Sequence, residues 1–407
     1  MLPFCLGLWR WGFWPVLVAG VSYELVQASN QLPPPELKTI LARLEVGDLE
    51  GAEQGLRDWA RYSPQAPEIR LQLARVLAAR KDLLGCALQL RAVPTWAPSK
   101  YEALFREGQT WQALDRARDA ERAFRTYLRD DPNHPADKPY RDTSEVELIN
   151  LMTLEGRWGE TRELIWSAFP RAADRLQREE LLIMSLRTVL ERYGPRASVG
   201  PLRRFVAADP GDFEARLALA LAEHGMKQND AADQQIAACS AMRPDDPRVW
   251  RNWLAILKDR GDLEGMREVL KRAPARLSDS LAAYRGQVLA QDGHLVEAFA
   301  AFEKAIAEEP AEADLHYRLA LVARRLGRHD RESQAQKRVQ VLRSAREGLS
   351  DALKAFETEG RTDSVAPQRH DEIVLRLASI CRDLGFERDA REWARLAKVQ
   401  PTAEPQP

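Results

Sequence analysis

The chain is short of what catalysis, metal binding or a crosslinked scaffold would need. Its four cysteines, Cys5, Cys86, Cys239 and Cys381, lie far apart with no CxxC spacing, which argues against a disulfide framework or a thiolate zinc site. Each reads instead as a small buried apolar residue. The six histidines (His134, His224, His294, His316, His329 and His370) show neither HExxH nor HxH spacing. No G-x-S-x-G, GxGxxG or GxxxxGK occurs, so no catalytic residue, metal ligand or cofactor site is assigned and the chain reads as a non-enzyme. Charge of one sign is lacking too. Lys and Arg number 60 against 61 Asp and Glu, a net charge of -1, which argues against a nucleic-acid partner held by bulk charge. Alternating Val, Ile and Thr runs are missing, so almost no sheet is expected.

What is present is helix-forming material: Ala, Leu, Arg and Glu prevail, with 45% apolar and 30% charged residues in 407. Residues 1–23 carry one basic residue, Arg10, before the apolar run Trp11–Val21, and small residues follow at Val26, Ala28 and Ser29. That order reads residues 1–28 as a signal peptide or uncleaved membrane anchor, and places the protein in the periplasm or cell envelope. The run is short for a spanning helix, which needs about 20 residues. The alternative is an apolar helix capping the first repeat of a cytoplasmic protein. Pro33, Pro34 and Pro35 read as a stiff extended spacer.

Periodicity decides the fold. Pro64, Pro132, Pro210, Pro244 and Pro310 are separated by 68, 78, 34 and 66 residues, most of them near multiples of 34. Small or apolar residues recur 12, 8 and 5 positions before the proline: Ala52, Leu56 and Trp59; Ala120, Phe124 and Tyr127; Ala232, Ile236 and Cys239; Ala298, Phe302 and Ala305. Gly108, Trp111, Ala120, Phe124 and Pro132 in one unit, and Gly286, Gly293, Ala298, Phe302, Ala305 and Pro310 in another, match the W, L, G, Y, A, F, P pattern. On these residues the chain resembles the tetratricopeptide repeat (TPR) family.

The resemblance implies an all-α fold, a right-handed superhelical solenoid of about ten helix-turn-helix repeats. Each repeat would pair a helix A with a helix B, small residues letting the axes approach and Phe124 and Phe302 filling the space between units. The expected organisation is repeats 1–3 over 33–134, repeats 4–9 over 142–346, a long helix and capping hairpin over 347–401, and a disordered tail at 402–407. Residues 135–141 would be an inserted link. Glu332 and Gln336 stand where repeat 9 should carry small and aromatic residues. The stretch from Glu332 to Glu359 reads as one long polar helix with Val339, Leu342, Leu349, Leu353 and Phe356 on one face. Trp59, Trp111 and Trp393 fall at core positions, leaving Trp96, Trp158 and Trp166 as candidates for exposed contacts.

In the family, helix A positions 2, 5, 6, 9, 12 and 13 line the concave groove. Here they carry Arg248, Arg251, Asn252, Ala255, Lys258 and Asp259; then Ser280, Ala283, Tyr284, Gln287, Ala290 and Gln291; then Asp314, Tyr317, Arg318, Leu321, Arg324 and Arg325. Ala255 beside Arg251 departs from the family's carboxylate clamp, so that clamp is not assigned. The groove reads as basic with two tyrosines, and Arg248, Arg251, Asn252, Tyr284, Gln287, Tyr317, Arg318 and Arg325 are its candidate contacts. The implied function is a scaffold for a protein or peptide partner, an acidic segment by charge, with membrane contact only through residues 1–28. A cytoplasmic adaptor, or an accessory subunit of a secretion or glycan-processing machine, are the alternatives.

Overall fold

Leu- and Ala-rich stretches broken by Gly-Asp or Lys-Asp pairs fold as one helix after another. The computed structural model describes residues 34–63, 66–130, 138–172, 174–190, 194–360 and 367–397. Among the described residues are twenty α-helices and no strand. Two compact units form: residues 1–151 with 203–215, and residues 152–202 with 216–407. The first holds hairpins α1 (Pro34–Glu45) with α2 (Leu49–Tyr62), α3 (Pro67–Ala79) with α4 (Leu83–Arg91), and α5 (Lys100–Ala113) with α6 (Ala117–Asp130), and most of α7 (Lys138–Leu154). The second begins with α8 (Trp158–Ala168) and α9 (Arg175–Leu190); α10 (Pro195–Ala208) and α11 (Phe213–Gly225) contribute residues to both units. The second unit continues with α12 (Asn229–Met242), α13 (Pro247–Arg260), α14 (Leu263–Arg272), α15 (Ala282–Gln291), α16 (Leu295–Glu308), α17 (Ala313–Arg325), α18 (His329–Ala355), α19 (Pro367–Asp383) and α20 (Glu387–Leu396). The fold is all-α and TPR-like, as expected.

A five-residue motif makes three of the turns. Gly47-Asp48-Leu49-Glu50-Gly51, Lys81-Asp82-Leu83-Leu84-Gly85 and Gly261-Asp262-Leu263-Glu264-Gly265 share one design. The first residue is left-handed, with φ of 75°, 65° and 73°, and ends helix A. The aspartate caps helix B, its carboxylate accepting the N–H of Gly51, Gly85 and Gly265 at 2.8–2.9 Å.

The phasing inferred from the prolines is the packing observed. Ala52, Ala120, Ala232 and Ala298 are all 0% exposed, and Leu56, Phe124, Ile236 and Phe302 are at most 1% exposed. The rings of Phe124 and Phe302 sit over Gly108 and Gly286, so they first fill the seam inside their own hairpin. Phe302 also joins Leu315, Leu319 and Ala320 of the next hairpin in one core. Cys86, Cys239 and Cys381 are buried thiols.

Several expectations need correction. Pro34 and Pro35 open α1 instead of forming an extended spacer, because proline is pre-set for a helix's first turn, where its missing N–H costs nothing. Lys138–Arg141, read as a link, is the first turn of α7. Helix α18 runs through residues 346 and 347 unbroken, so no element boundary falls there. The expected signal or anchor at 1–28, Pro64, Pro132 and the tail at 402–407 lie outside the described residues. Among the described residues no helix is long and apolar enough to cross a membrane.

The largest departure from a plain array lies within the second unit. In a solenoid each repeat touches only its neighbours. Here the chain returns on itself: Leu182, Ile183 and Leu186 of α9 share one core with Leu349 and Phe356 of the long helix and its final turn, and with Leu377 and Trp393 of α19 and α20. Trp393 is 0% exposed and meets Phe356 edge-on at 4.8 Å. The Asp389 carboxylate, 1% exposed, accepts from Ser185 and from Arg162, each at 2.6 Å. Arg187 pairs with Glu357 at 2.7 Å, and Arg175 donates to His370. The hairpin α19–α20, expected to cap the end of an open array, therefore closes the second unit onto α9.

Candidate binding face

Helix A of three consecutive hairpins, α13, α15 and α17, carries the candidate contacts. α13 starts where Asp246 caps it, accepting the Arg248 N–H at 2.9 Å, with Pro247 in the first turn. α17 presents Tyr317, 45% exposed, and Arg325 on one side, while Leu315, Leu319 and Ala323 are buried on the other.

The arginines are not free cations. Arg248 turns back onto Asp246 at 2.7 Å. Arg251 meets Glu309 at 3.1 Å. Arg318 meets Asp314 at 2.8 Å, and Lys258 of α13 reaches the same carboxylate at 3.6 Å. The face thus carries ion pairs running from α13 to the start of α17, and it is of mixed charge, not basic. Asp314 and Asp259 stood in the sequence pattern at the same groove positions as the arginines; Glu309 lies in the turn before α17, outside the pattern. Asp246 is subject to two opposing influences: burial pushes its carboxyl up, and the hydrogen bonds and charge of Arg248 bring it below the ordinary value.

Tyr284 lies between these pairs. Burial pushes its hydroxyl up to about 12, with Arg251, Glu309, Asp259 and Asp314 as the charges around it, so it is a neutral donor at any physiological pH. Asn252 and Gln287 are half-buried, and among the described residues their amides hydrogen-bond to no other side chain or backbone group. Arg325, exposed, donates to the Ala290 carbonyl at 3.1 Å and, among the described residues, to no carboxylate. All eight candidate contacts lie in the second unit, and Arg248 among them is turned onto the cap of its own helix.

Neither a protein-family model nor a curated protein matches the chain. Solved structures do. One of human IFIT1, a dimer with PPP-AAAA, is 16% identical over 94% of this chain and 93% of that one, with a TM-score of 0.32. A tetratricopeptide repeat protein from Parabacteroides merdae is 14% identical over 74% and 99%, with a TM-score of 0.28. The TPR domain of P58(IPK) is 14% identical over 89% and 98%, with a TM-score of 0.27. Values this low transfer no ligand or partner from those proteins to this one.

The tryptophans divide as expected at four positions and otherwise at two, Trp158 and Trp166. Trp59, Trp111 and Trp393 are buried, and Trp96 is 66% exposed on the turn after α4. Trp166 instead packs on Phe169 at 4.8 Å and against the closing core, and Trp158 is half-buried. The guanidinium groups of Arg91 and Arg116 lie over the Trp111 ring, at 5.0 and 5.6 Å, and its indole N–H donates to the buried Glu107.

Proposed function

We propose that the chain is a non-catalytic scaffold that binds a protein or peptide along α13, α15 and α17, and that residues 1–28 export it or tether it to a membrane. The binding reading rests on groups with capacity to spare: the amides of Asn252 and Gln287, the exposed ring of Tyr317, which the Arg343 guanidinium approaches at 5.8 Å, and Arg325, held by a single backbone carbonyl. Amides spaced along successive helices suit the backbone of an extended peptide, and the ring adds apolar area. An acidic side chain of the ligand can exchange with Glu309 at Arg251. Exposed pairs of this kind contribute only about 0.2–1 kcal/mol, so the exchange costs little.

Crosslinking in cells followed by mass spectrometry names the partner. Tyr317→Ala with Arg325→Glu should then weaken its binding at least tenfold while melting stays unchanged, since both side chains are exposed. Capture at the wild-type level by that variant refutes this face as the site. Deleting residues 1–28 should leave a folded array and release it from membranes or block its export. A cytosolic full-length protein whose truncated form aggregates would make the segment a hydrophobic cap.

A further inference from the structure

A second surface lies on the opposite side of α17. Residues two apart on a helix point in nearly opposite directions, so His316 and Leu319 face away from Tyr317 and Arg318. They form the floor of an open groove of about 610 Å³ between α16 and α18, closed by Ile306 and Ala335. Its origin is the irregular helix B noted in the sequence. Glu332 and Gln336 occupy the usual seats, and neither is buried. Helix α18 instead turns Ala335, Val339 and Leu342 inward. Ala335 shares one core with Phe299, Phe302 and Leu319, and the groove opens beside it. The volume lies in the range of ligand-sized clefts.

The rim is cationic. Arg331, Lys337 and Arg338 line it against a single carboxylate, Glu303, which Arg331 already holds. Lys337 is exposed and pairs with no group among the described residues. Arg338 donates to the Asp383 carbonyl at 2.9 Å and, among the described residues, to no carboxylate. On the other face of α17 carboxylates of the chain pair with Arg251, Lys258 and Arg318; here only Arg331 has such a partner among the described residues. Val341, 40% exposed, continues the apolar strip.

The geometry points to a docking groove for an acidic amphipathic peptide of a partner protein, with an apolar side chain seated over Leu319 and Ala335 and carboxylates on Lys337 and Arg338. This site is separate from the α13–α15–α17 face. Guanidinium and ammonium donors on a low-dielectric floor favour carboxylates there. Unlike a polyanion, such a peptide also covers the apolar floor.

The probes are a labelled helical peptide of Glu, Ala and Leu with leucine every third or fourth position, the same peptide with Lys for Glu, a Glu–Ala peptide without leucine, and an oligoadenylate of equal length. The Glu–Leu peptide alone should saturate the full chain by fluorescence anisotropy, more weakly as salt rises. Lys337→Glu should weaken it at least tenfold, Val341→Asp should weaken it as well, and Arg325→Glu on the other face should leave it unchanged. Both Lys337 and Val341 are exposed, so folding is not at issue. Binding that survives Lys337→Glu, or that the leucine-free peptide matches, overturns the proposal. Equal binding of oligoadenylate, lost in Lys337→Glu, makes this a polyanion site instead. Loss with Arg325→Glu alone places the peptide on the α13–α15–α17 face.

Discussion

Asp389→Ala tests whether the second unit is closed. The carboxylate is 1% exposed and holds two donors at 2.6 Å, the Ser185 hydroxyl of α9 and the Arg162 guanidinium of α8. Ser185 is 0% exposed and would lose its acceptor without gaining water. Arg162, whose side chain is 19% exposed, recovers part of its hydration and keeps its place 3.8 Å over the Phe386 ring. Removing one member of a buried pair costs about 3–5 kcal/mol. Asp389→Asn, which retains an acceptor for Ser185, should lose roughly half of that. For a unit of this size the alanine variant should melt roughly 10 °C lower. Hydrogen exchange distinguishes closure from an ordinary capping defect. Amides of α9 should lose protection together with those of α19 and α20, although more than 170 residues separate them in sequence, while α13 to α15 change less. Unchanged protection of α9, with melting within about 1 °C of wild type, would refute the closure.

Two further substitutions probe the repeat itself. A Cβ on Gly108 would fall within 2.7 Å of three Phe124 ring atoms, whereas one on Gly286 meets Phe302 at 3.0–3.2 Å. Gly108→Ala should therefore cost about 1–3 kcal/mol by overpacking, and Gly286→Ala less, offset by up to about 1 kcal/mol of helix propensity; equal denaturation midpoints would contradict the seam. Asp246→Ala removes the cap of α13 and should cost about 1 kcal/mol at neutral pH. Because the folded carboxyl lies below the ordinary 3.8, its contribution is present above that value and lost as pH falls through the lower, folded one. Urea melts should show a constant gap from about pH 7 to 5 that narrows by about pH 3; a gap that persists unchanged in acid would refute the assignment.

The sequence by itself determined the hairpin, its phasing and its core. Ala298 and Phe302 recur because two helices cannot approach without a small residue, and cannot exclude water without a large one. The same constraint acts at Ala52 and Leu56, so the period is visible in one chain. The Asp-Leu-x-Gly turns carry a local signal that the repeat pattern does not include, a capping aspartate followed by glycine three places on. The long helix was visible from the spacing of Val339, Leu342, Leu349 and Leu353. Tertiary structure alone decided three matters. The charge of the A-helix face depended on which carboxylates the arginines would find, and Glu309 comes from a turn that no groove pattern includes. The groove behind α17 depended on which side chains of α18 turn inward, Ala335 and Val339, while Gln336 stays exposed. The closure onto α9 joins Ser185 to Asp389 across 204 positions. A local period reports only neighbours three and four residues apart or one repeat away, so it carries no trace of such a contact.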